Sequence, residues 1–537
     1  MRKWRNLVYA YVSEAYGETL ESSNLSFRTD SPLMKKLKTL LILALLFLFS
    51  FLLRLSLISK GPFHTDTLNL ALLAEKTLNE GQLHYFSGPG FPLTVLLSAV
   101  FIGLTKIFSC SDPVIGTNLM SVVISSLCVP ALYYFTKKLF NPGTALIASI
   151  LFSVFPIFLA ISVYGNTHTP ALFFLLISLC WLMDYKETSR RRNFIWSAIF
   201  MGFMGASRLQ EMLVMTIPLS FLLITITFKR RTGKDLLSSL KHLTGFWAVT
   251  AITIFVFFIP LLLKQNPIHA SQNFTQFFHY HVIESFQGMF SSPMKRILND
   301  LNESFSYSGV FNITMGVLIL GLRDRLKLFF LLFWFITPLL ILGNFVYAAP
   351  RFFVVASLPL IIIMGYILNS LPEQKPRWWQ ICIYLILIVT ICSMLKNILP
   401  ILAFRHRYAL MPDYYRWVGQ NTEPNAKIIE RDNISFIEHY GHRTAIYPPV
   451  SLFAIDPHAL ERFKEDLDRD FASNVPIYVT GTGLLGYNPN LKFPQFMKEH
   501  FQIKFIGERL IEDWHRDCLK LDIGPMKLYR LRPQPRI

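Results

Sequence analysis

Apolar residues come in long blocks through the first three quarters of the chain, and then the pattern changes period. The blocks lie near 39–58, 114–136, 143–162, 168–184, 194–209, 212–228, 243–263, 308–322, 328–346, 351–371 and 379–401. Most approach the length that an α-helix at about 1.5 Å per residue needs to cross about 30 Å of hydrocarbon. Apolar runs of that length predict spanning helices. A further apolar stretch, 89–108, is shorter and contains Pro89 and Pro92 near its start. From about 402 the apolar positions alternate instead, in AKIIE, RTAIYP, VPIYVTG, QIKFIG and MKLYRLR, with helical patterns near 412–420, 457–470 and 493–500. Period-2 runs between helical ones predict a small α/β domain. GTGLLG (481–486) has neither nucleotide-loop spacing, and is expected to be a loop with turn glycines.

Composition agrees with a polytopic membrane protein: of 537 residues, 52% are hydrophobic and 15% aromatic. The net charge of +18 would suit nucleic acid, but its placement does not. Lys137 and Lys138, then Lys186 with Arg190–Arg192, then Lys229, Arg230, Arg231, Lys234 and Lys241 sit in short loops. Arg323, Arg325 and Lys327, and Lys375 with Arg377, continue the series, and Lys35, Lys36 and Lys38 precede the first block. These clusters recur after every second block, the signature of cytoplasmic loops in a membrane protein, so no nucleic-acid partner is expected. If 89–108 spanned, every downstream cluster would face outward. Segments 66–80 and 89–108 are therefore expected to lie at or dip into the outer membrane surface.

The expectation is about eleven spans in an inner or plasma membrane, with the N-terminus cytoplasmic and the C-terminus periplasmic or extracytoplasmic. Residues 1–34 form the cytoplasmic segment, 35–401 the membrane domain with outer loops 59–113 and 264–307, and 402–537 the outer α/β domain. More than thirty mostly polar residues precede the first block, and no small-residue cleavage site follows it, so it reads as a retained anchor. The cysteines Cys110, Cys128, Cys180, Cys382, Cys392 and Cys518 show no CxxC spacing, and neither a metal site nor a disulfide framework is expected.

On this topology a few polar side chains gather on the outer face. Asp66 follows the first block and is either a cap for TLNLALLAEKTL, a helix closed by Gly81, or a general base beside lipid-borne substrate. His64 either contacts an acceptor or faces water. Arg208 (in GASRLQE) and Arg351 (in YAAPRFF) stand against the charge bias, as snorkelling residues or as clamps on phosphate oxygens. Arg54, near the outer end of the first block, is a weaker third arginine. His168 in YGNTHTPALFFLL is structural or substrate-binding. His281 and Glu284, in the aromatic stretch NFTQFFHYHVIESF, either accompany interfacial anchoring or touch substrate. Asn-X-Ser/Thr triplets begin at Asn273, Asn302, Asn312 and Asn433. No acidic or histidine side chain falls mid-span, which counts against a proton-coupled transporter.

These segments together resemble the GT-C superfamily of integral-membrane glycosyltransferases that use polyprenyl-phosphate sugars, in the branch with the aminoarabinose transferases and protein O-mannosyltransferases. Carrying the resemblance, in order, are Arg54, the HTD turn with LNLALLAEKTL, YFSGPGFPLTVLLSAVFIGL, YGNTHTPALFFLL, GASRLQEMLVMTIPL, FFHYHVIESF and PRFFVVASLPLIIIMGYIL, over about residues 35–400. It implies a mostly α, GT-C-type membrane domain and transfer of a sugar from a polyprenyl phosphate to a hydroxyl of a lipid, glycan or protein, with inversion. It also implies Asp66 as the base and Arg208 and Arg351 as phosphate ligands. Many relatives carry Asp-Glu where this chain has Asp66-Thr67, and an acidic residue near the position of His168. No DxD or DDx stands at these positions, so no cofactor is expected, although a divalent metal is compatible with the sequence. A lipid-sugar flippase, which calls for broken mid-membrane helices repeated in two halves, and a catalytically inactive relative are the alternatives.

Overall fold

The computed structural model describes residues 32–85, 90–109, 111–230, 236–264, 291–345, 348–370, 376–449, 457–485, 492–512 and 518–534. The membrane part begins with α1 (Pro32–Leu55), followed by α2 (Thr65–Glu80), α3 (Pro92–Ile107) and α4 (Pro113–Leu139). Next come α5 (Pro142–Val154), α6 (Pro156–Ser162), α7 (His168–Thr188), α8 (Arg191–Ser207), α9 (Leu209–Arg230) and α10 (Leu236–Lys264). It closes with α11 (Ser292–Arg323), α12 (Arg325–Leu342), α13 (Val354–Ser370) and α14 (Arg377–Arg407). The chain is a multi-pass membrane protein: among the described residues nine helices are long and apolar enough to cross a bilayer, or ten if the bent pair α5/α6 is one span.

That is fewer than the eleven crossings expected, for two reasons. Helix α8 has 17 residues, about 26 Å at 1.5 Å per residue, just short of the hydrocarbon thickness. The run 143–162 is bent by 59° at Pro156, whose ring cannot donate to the preceding turn. Ser292–Arg323 is two helical segments meeting at a kink at Ser306 (φ 59°, ψ 168°), the first inside the expected loop 264–307 and the second carrying the apolar block 308–322. Residues 265–290, with His281 and Glu284, lie outside the described residues.

Helices α2 and α3, each 16 residues, are too short to span and pack against one another and against the first half of α4. Helix α2 ends at Gly81, as read from the sequence, with the left-handed φ of 64° that glycine adopts without a Cβ penalty. Its N-cap is not Asp66 but His64, whose Nδ1 lies 2.9 Å from the backbone N of Asp66.

The tail folds around a five-stranded sheet of order β2-β1-β3-β5-β4. Its strands are β1 (Lys427–Ile429), β2 (Thr444–Ile446), β3 (Ile477–Thr480), β4 (Phe501–Glu512) and β5 (Ile523–Pro533), one for each alternating run. β2, β1 and β3 are parallel, and β5 joins β3 antiparallel. Helices α15 (Leu410–Gln420), α16 (Pro457–Ala472) and α17 (Lys492–His500) accompany the sheet. GTGLLG departs from the loop expected: Gly481–Leu485 form a single helical turn directly after β3.

The tail is joined to the membrane part by side-chain contacts. Leu68 and Ala71 of α2 share an apolar core with Tyr414, Tyr415 and Phe436. Arg405, at the end of α14, is buried with its guanidinium 3.9 Å from the Phe63 ring centroid. It donates to Glu512 and to the backbone carbonyls of Cys518 and Lys520. The backbone carbonyl of Arg405 in turn accepts from the Lys60 N–H at 3.0 Å.

Candidate active site

Four breaks in the helical order converge beside α2. The first is the turn carrying His64 and Asp66. The second is the loop before α7, where the Asn166 side-chain oxygen accepts from the backbone N–H groups of His168 and Thr169 and caps the helix. The third is the junction of α8 and α9, where Arg208 is extended (φ −162°, ψ 92°). The fourth is the 3₁₀ turn Pro350–Phe353, which carries Arg351. Asn118 of α4 pins the first two together: its Nδ2 donates to the Ser59 carbonyl at 3.0 Å, and its Oδ1 accepts from Gly165 N–H at 2.7 Å. Thr67 adds a hydrogen bond to the Gly165 carbonyl at 2.8 Å. A Cβ on Gly165 would lie 2.4 Å from Cγ2 of Thr117, so only glycine allows this close approach.

Asp66 is the open acid of the group, its side chain 62% exposed, while His64 beside it is buried. Partial desolvation by the surrounding protein raises the Asp66 carboxyl above the ordinary carboxylate range, and the charges of Arg351 and Arg208 oppose that rise. An exposed yet partly desolvated carboxylate is what a recess walled by protein produces.

His64 links this acid to Arg351. Its Nε2 is 3.3 Å from Arg351 Nη2, and its Nδ1 is 3.3 Å from Asp66 Oδ2. A guanidinium only donates, so accepting from Arg351 requires a lone pair on Nε2 and puts the neutral proton on Nδ1, facing Asp66 Oδ2. The other tautomer accepts the Asp66 N–H at Nδ1 but turns an N–H toward a cation. The cap of α2 uses the second arrangement, with Nδ1 accepting from the Asp66 N–H at 2.9 Å, the shorter of the two contacts.

Behind these groups lies a buried triad. Glu211, in the first turn of α9, places Oε1 2.6 Å from His168 Nδ1 and 2.7 Å from Arg208 Nε. Arg208 also donates to Thr167 Oγ1 at 2.7 Å, and its guanidinium stacks 4.9 Å from the Phe352 ring centroid and 5.6 Å from that of Phe91. His168 packs edge-on against Phe352 at 5.2 Å, and Arg351 lies 5.4 Å from the same ring. Phe352 is therefore the common wall of His168, Arg208 and Arg351. Arg351 is half-buried, whereas Arg208 is buried and part-neutralised by Glu211.

The structure thus brings together His64, Asp66, His168, Arg208 and Arg351. Arg54 has other company: it is fully buried, donates to Ser50 and to the Ser153 carbonyl at 3.2 Å, and lies 4.7 Å from the Phe158 ring centroid. The described contacts give it the carbonyl freed where α5 breaks before Pro156 and do not link it to Asp66. Glu211 and Phe352 were not anticipated. Glu211 stands three residues after Arg208 in the first turn of an apolar helix, a spacing at which two side chains meet. Among the described residues no three His, Cys, Asp or Glu side chains gather as a metal-ligand set.

Residues 94–262 match the family described as dolichyl-phosphate-mannose-protein mannosyltransferase. The undecaprenyl phosphate-alpha-4-amino-4-deoxy-L-arabinose arabinosyl transferase of Pseudomonas aeruginosa (strain LESB58) is 25% identical over 301 residues, 53% of this chain. The chain spans about half (50%) of the length of that curated relative. Among solved structures, apo ArnT from Cupriavidus metallidurans superposes with a TM-score of 0.59 at 12% identity, covering 91% of this chain and 97% of that one. The oligosaccharyltransferase AglB from Archaeoglobus fulgidus, solved with an inhibitory peptide and a dolichol-phosphate, superposes with a TM-score of 0.56 at 14% identity, over 91% and 74%. Matched in sequence through part of its membrane domain and in architecture nearly end to end, the chain has a GT-C-type fold, a polytopic helical membrane domain followed by a small sheet domain.

Proposed function

We propose that this protein transfers a sugar from a polyprenyl-phosphate donor to a hydroxyl on a lipid, glycan or protein acceptor, with inversion, at the outer face of the membrane. The observation that carries the reading is an open carboxylate, Asp66, within electrostatic reach of two guanidinium groups supplied by separate helix ends. In this mechanism an Asp66 oxygen takes the proton of the acceptor hydroxyl as the hydroxyl oxygen bonds to the anomeric carbon. The bond from that carbon to the donor phosphate oxygen breaks on the opposite face, and its electron pair leaves with the phosphate. Sugar transfer has oxocarbenium character, so the departing phosphate gains negative charge as the base removes the acceptor proton. Arg351 binds that phosphate directly, and Arg208 supplies a second positive charge tuned by Glu211.

The named relatives support a lipid-phosphate donor. The Pseudomonas relative is named for an undecaprenyl phosphate substrate, and ArnT was solved with undecaprenyl phosphate bound. The outward orientation, with the N-terminus cytoplasmic and the tail periplasmic or extracytoplasmic, is supported by the recurring basic loops.

The test is reconstitution of the purified protein in lipid with a polyprenyl-phosphate pentose or hexose. Mass spectrometry of glycolipids and glycoproteins from a deletion strain identifies the acceptor. Loss of one surface glycoform on deletion, restored by the wild-type chain but not by Asp66→Asn, is the expected result. Restoration by Asp66→Asn overturns the assignment.

A further inference from the structure

We infer that Asn433, in the C-terminal domain, is a positioning residue for Asp66, acting through Thr65. The inference rests on the reading of Asp66 as the base and identifies what holds that base in place.

Thr65 immediately precedes Asp66 and is buried. Its hydroxyl lies 2.9 Å from Asn433 Oδ1 and 3.0 Å from the Asp432 carbonyl, residues more than 360 positions away in the chain. Asn433 is itself buried, and its side chain interacts with the Tyr415 hydroxyl. The Tyr415 hydroxyl donates to Glu430 Oε2 at 3.0 Å, and Glu430 is fully buried. Glu430 also accepts from Thr480 Oγ1 at 2.6 Å, from Thr482 Oγ1 at 2.7 Å and from the backbone N–H of Arg431 at 2.9 Å. A continuous buried polar path therefore runs from the turn of the candidate base to the carboxyl ends of β1 and β3. These are neighbouring parallel strands in the tail sheet.

Such a path is costly to bury unless every member is satisfied, and when satisfied it fixes one geometry. It is also anchored on rigid elements. Leu68 and Ala71, one and two turns into α2, pack in the same core as Tyr414, Tyr415 and Phe436, and Ser435 donates to Asn69. The Asp66 turn is thus braced from the tail side by Asn433 and from the membrane side by Asn118. Because Asn433 is buried and bonded, its Asn-X-Ser triplet is not an exposed glycosylation acceptor in the folded chain.

Removing the Thr65–Asn433 bond should loosen the turn without touching the donor site. Asn433→Ala and Thr65→Val in the full-length protein are each expected to lower kcat by about 10- to 100-fold, the cost of a misplaced reacting group, with KM for the donor unchanged. The double variant should be no worse than the poorer single variant, and Thr65→Ser should keep near wild-type kcat. Amide exchange over residues 64–68 should rise in both disabling variants. Additive losses in the double variant, or unchanged exchange over 64–68, overturn the proposal. If Asn433→Ala does not fold, Thr65→Val against Thr65→Ser carries the test alone. The exchange readout does not depend on chemistry, so it distinguishes a failure of this inference from a failure of Asp66 as base, which Asp66→Asn reports separately.

Discussion

Glu211 Oε1 stands 2.6 Å from His168 Nδ1 while holding Arg208 Nε at 2.7 Å, so one buried carboxylate orients two of the cluster's basic side chains. Glu211 reaches His168 from α9, two helices further along the chain. Removing it strands the buried Arg208 charge. Glu211→Ala is expected to cost about 3–5 kcal/mol of stability and most of the activity. Thermal unfolding in detergent against Glu211→Asp checks this, and an unchanged melting temperature would show that the ion pair carries no weight.

Asp66→Asn keeps the size of the side chain and the backbone N–H that His64 receives, and removes the base. Transfer should vanish while the melting temperature stays at the wild-type value, because the side chain is open. A coupled unfolding and activity assay separates the two effects, and a folded variant with full turnover removes Asp66 from the chemistry.

Arg351 is the more accessible of the two cluster arginines. Arg351→Ala should lower donor kcat/KM by about 2–4 kcal/mol, or roughly 30- to 1000-fold, if it stabilises the departing phosphate. Arg351→Lys should recover only part of this, since an ammonium lacks the paired donors. Steady-state kinetics against donor concentration decides it. An unchanged rate in Arg351→Ala would make the residue an interfacial anchor.

Activity should also depend on pH in a definite direction. A general base works ionised, so kcat/KM falls as pH drops through the Asp66 pKa, which desolvation raises above 3.8. The Arg351 charge lowers that pKa, so Arg351→Ala should move the acidic limb to higher pH. Profiles of both proteins at saturating acceptor test the sign, and a limb that moves to lower pH contradicts it.

Much of the fold could be read from the sequence, because it rests on local regularities. Uninterrupted apolar length specifies lipid-crossing helices, alternation specifies strands, and each alternating run of the tail is a strand in the sheet. Span counting failed where length and hydropathy leave no margin, at the 17-residue α8 and at the break before Pro156. The candidate site was legible in part. Asp66, His64, His168, Arg208 and Arg351 stand out because polar groups at the ends of apolar helices are conspicuous. The same reasoning could not separate Arg54, which satisfies a carbonyl freed by a helix break, from arginines facing an open acid.

The sequence by itself determined that the chain is a helical membrane protein with a small α/β tail, since burial against lipid and the strand period act through neighbouring residues. The tertiary structure alone decided the partnerships: Glu211 with His168, Arg351 with His64, and Asn433 with Thr65 across more than 360 residues of chain. Those are distances between groups on different elements, set by how helix ends and the tail sheet pack, and no local pattern of residues encodes them.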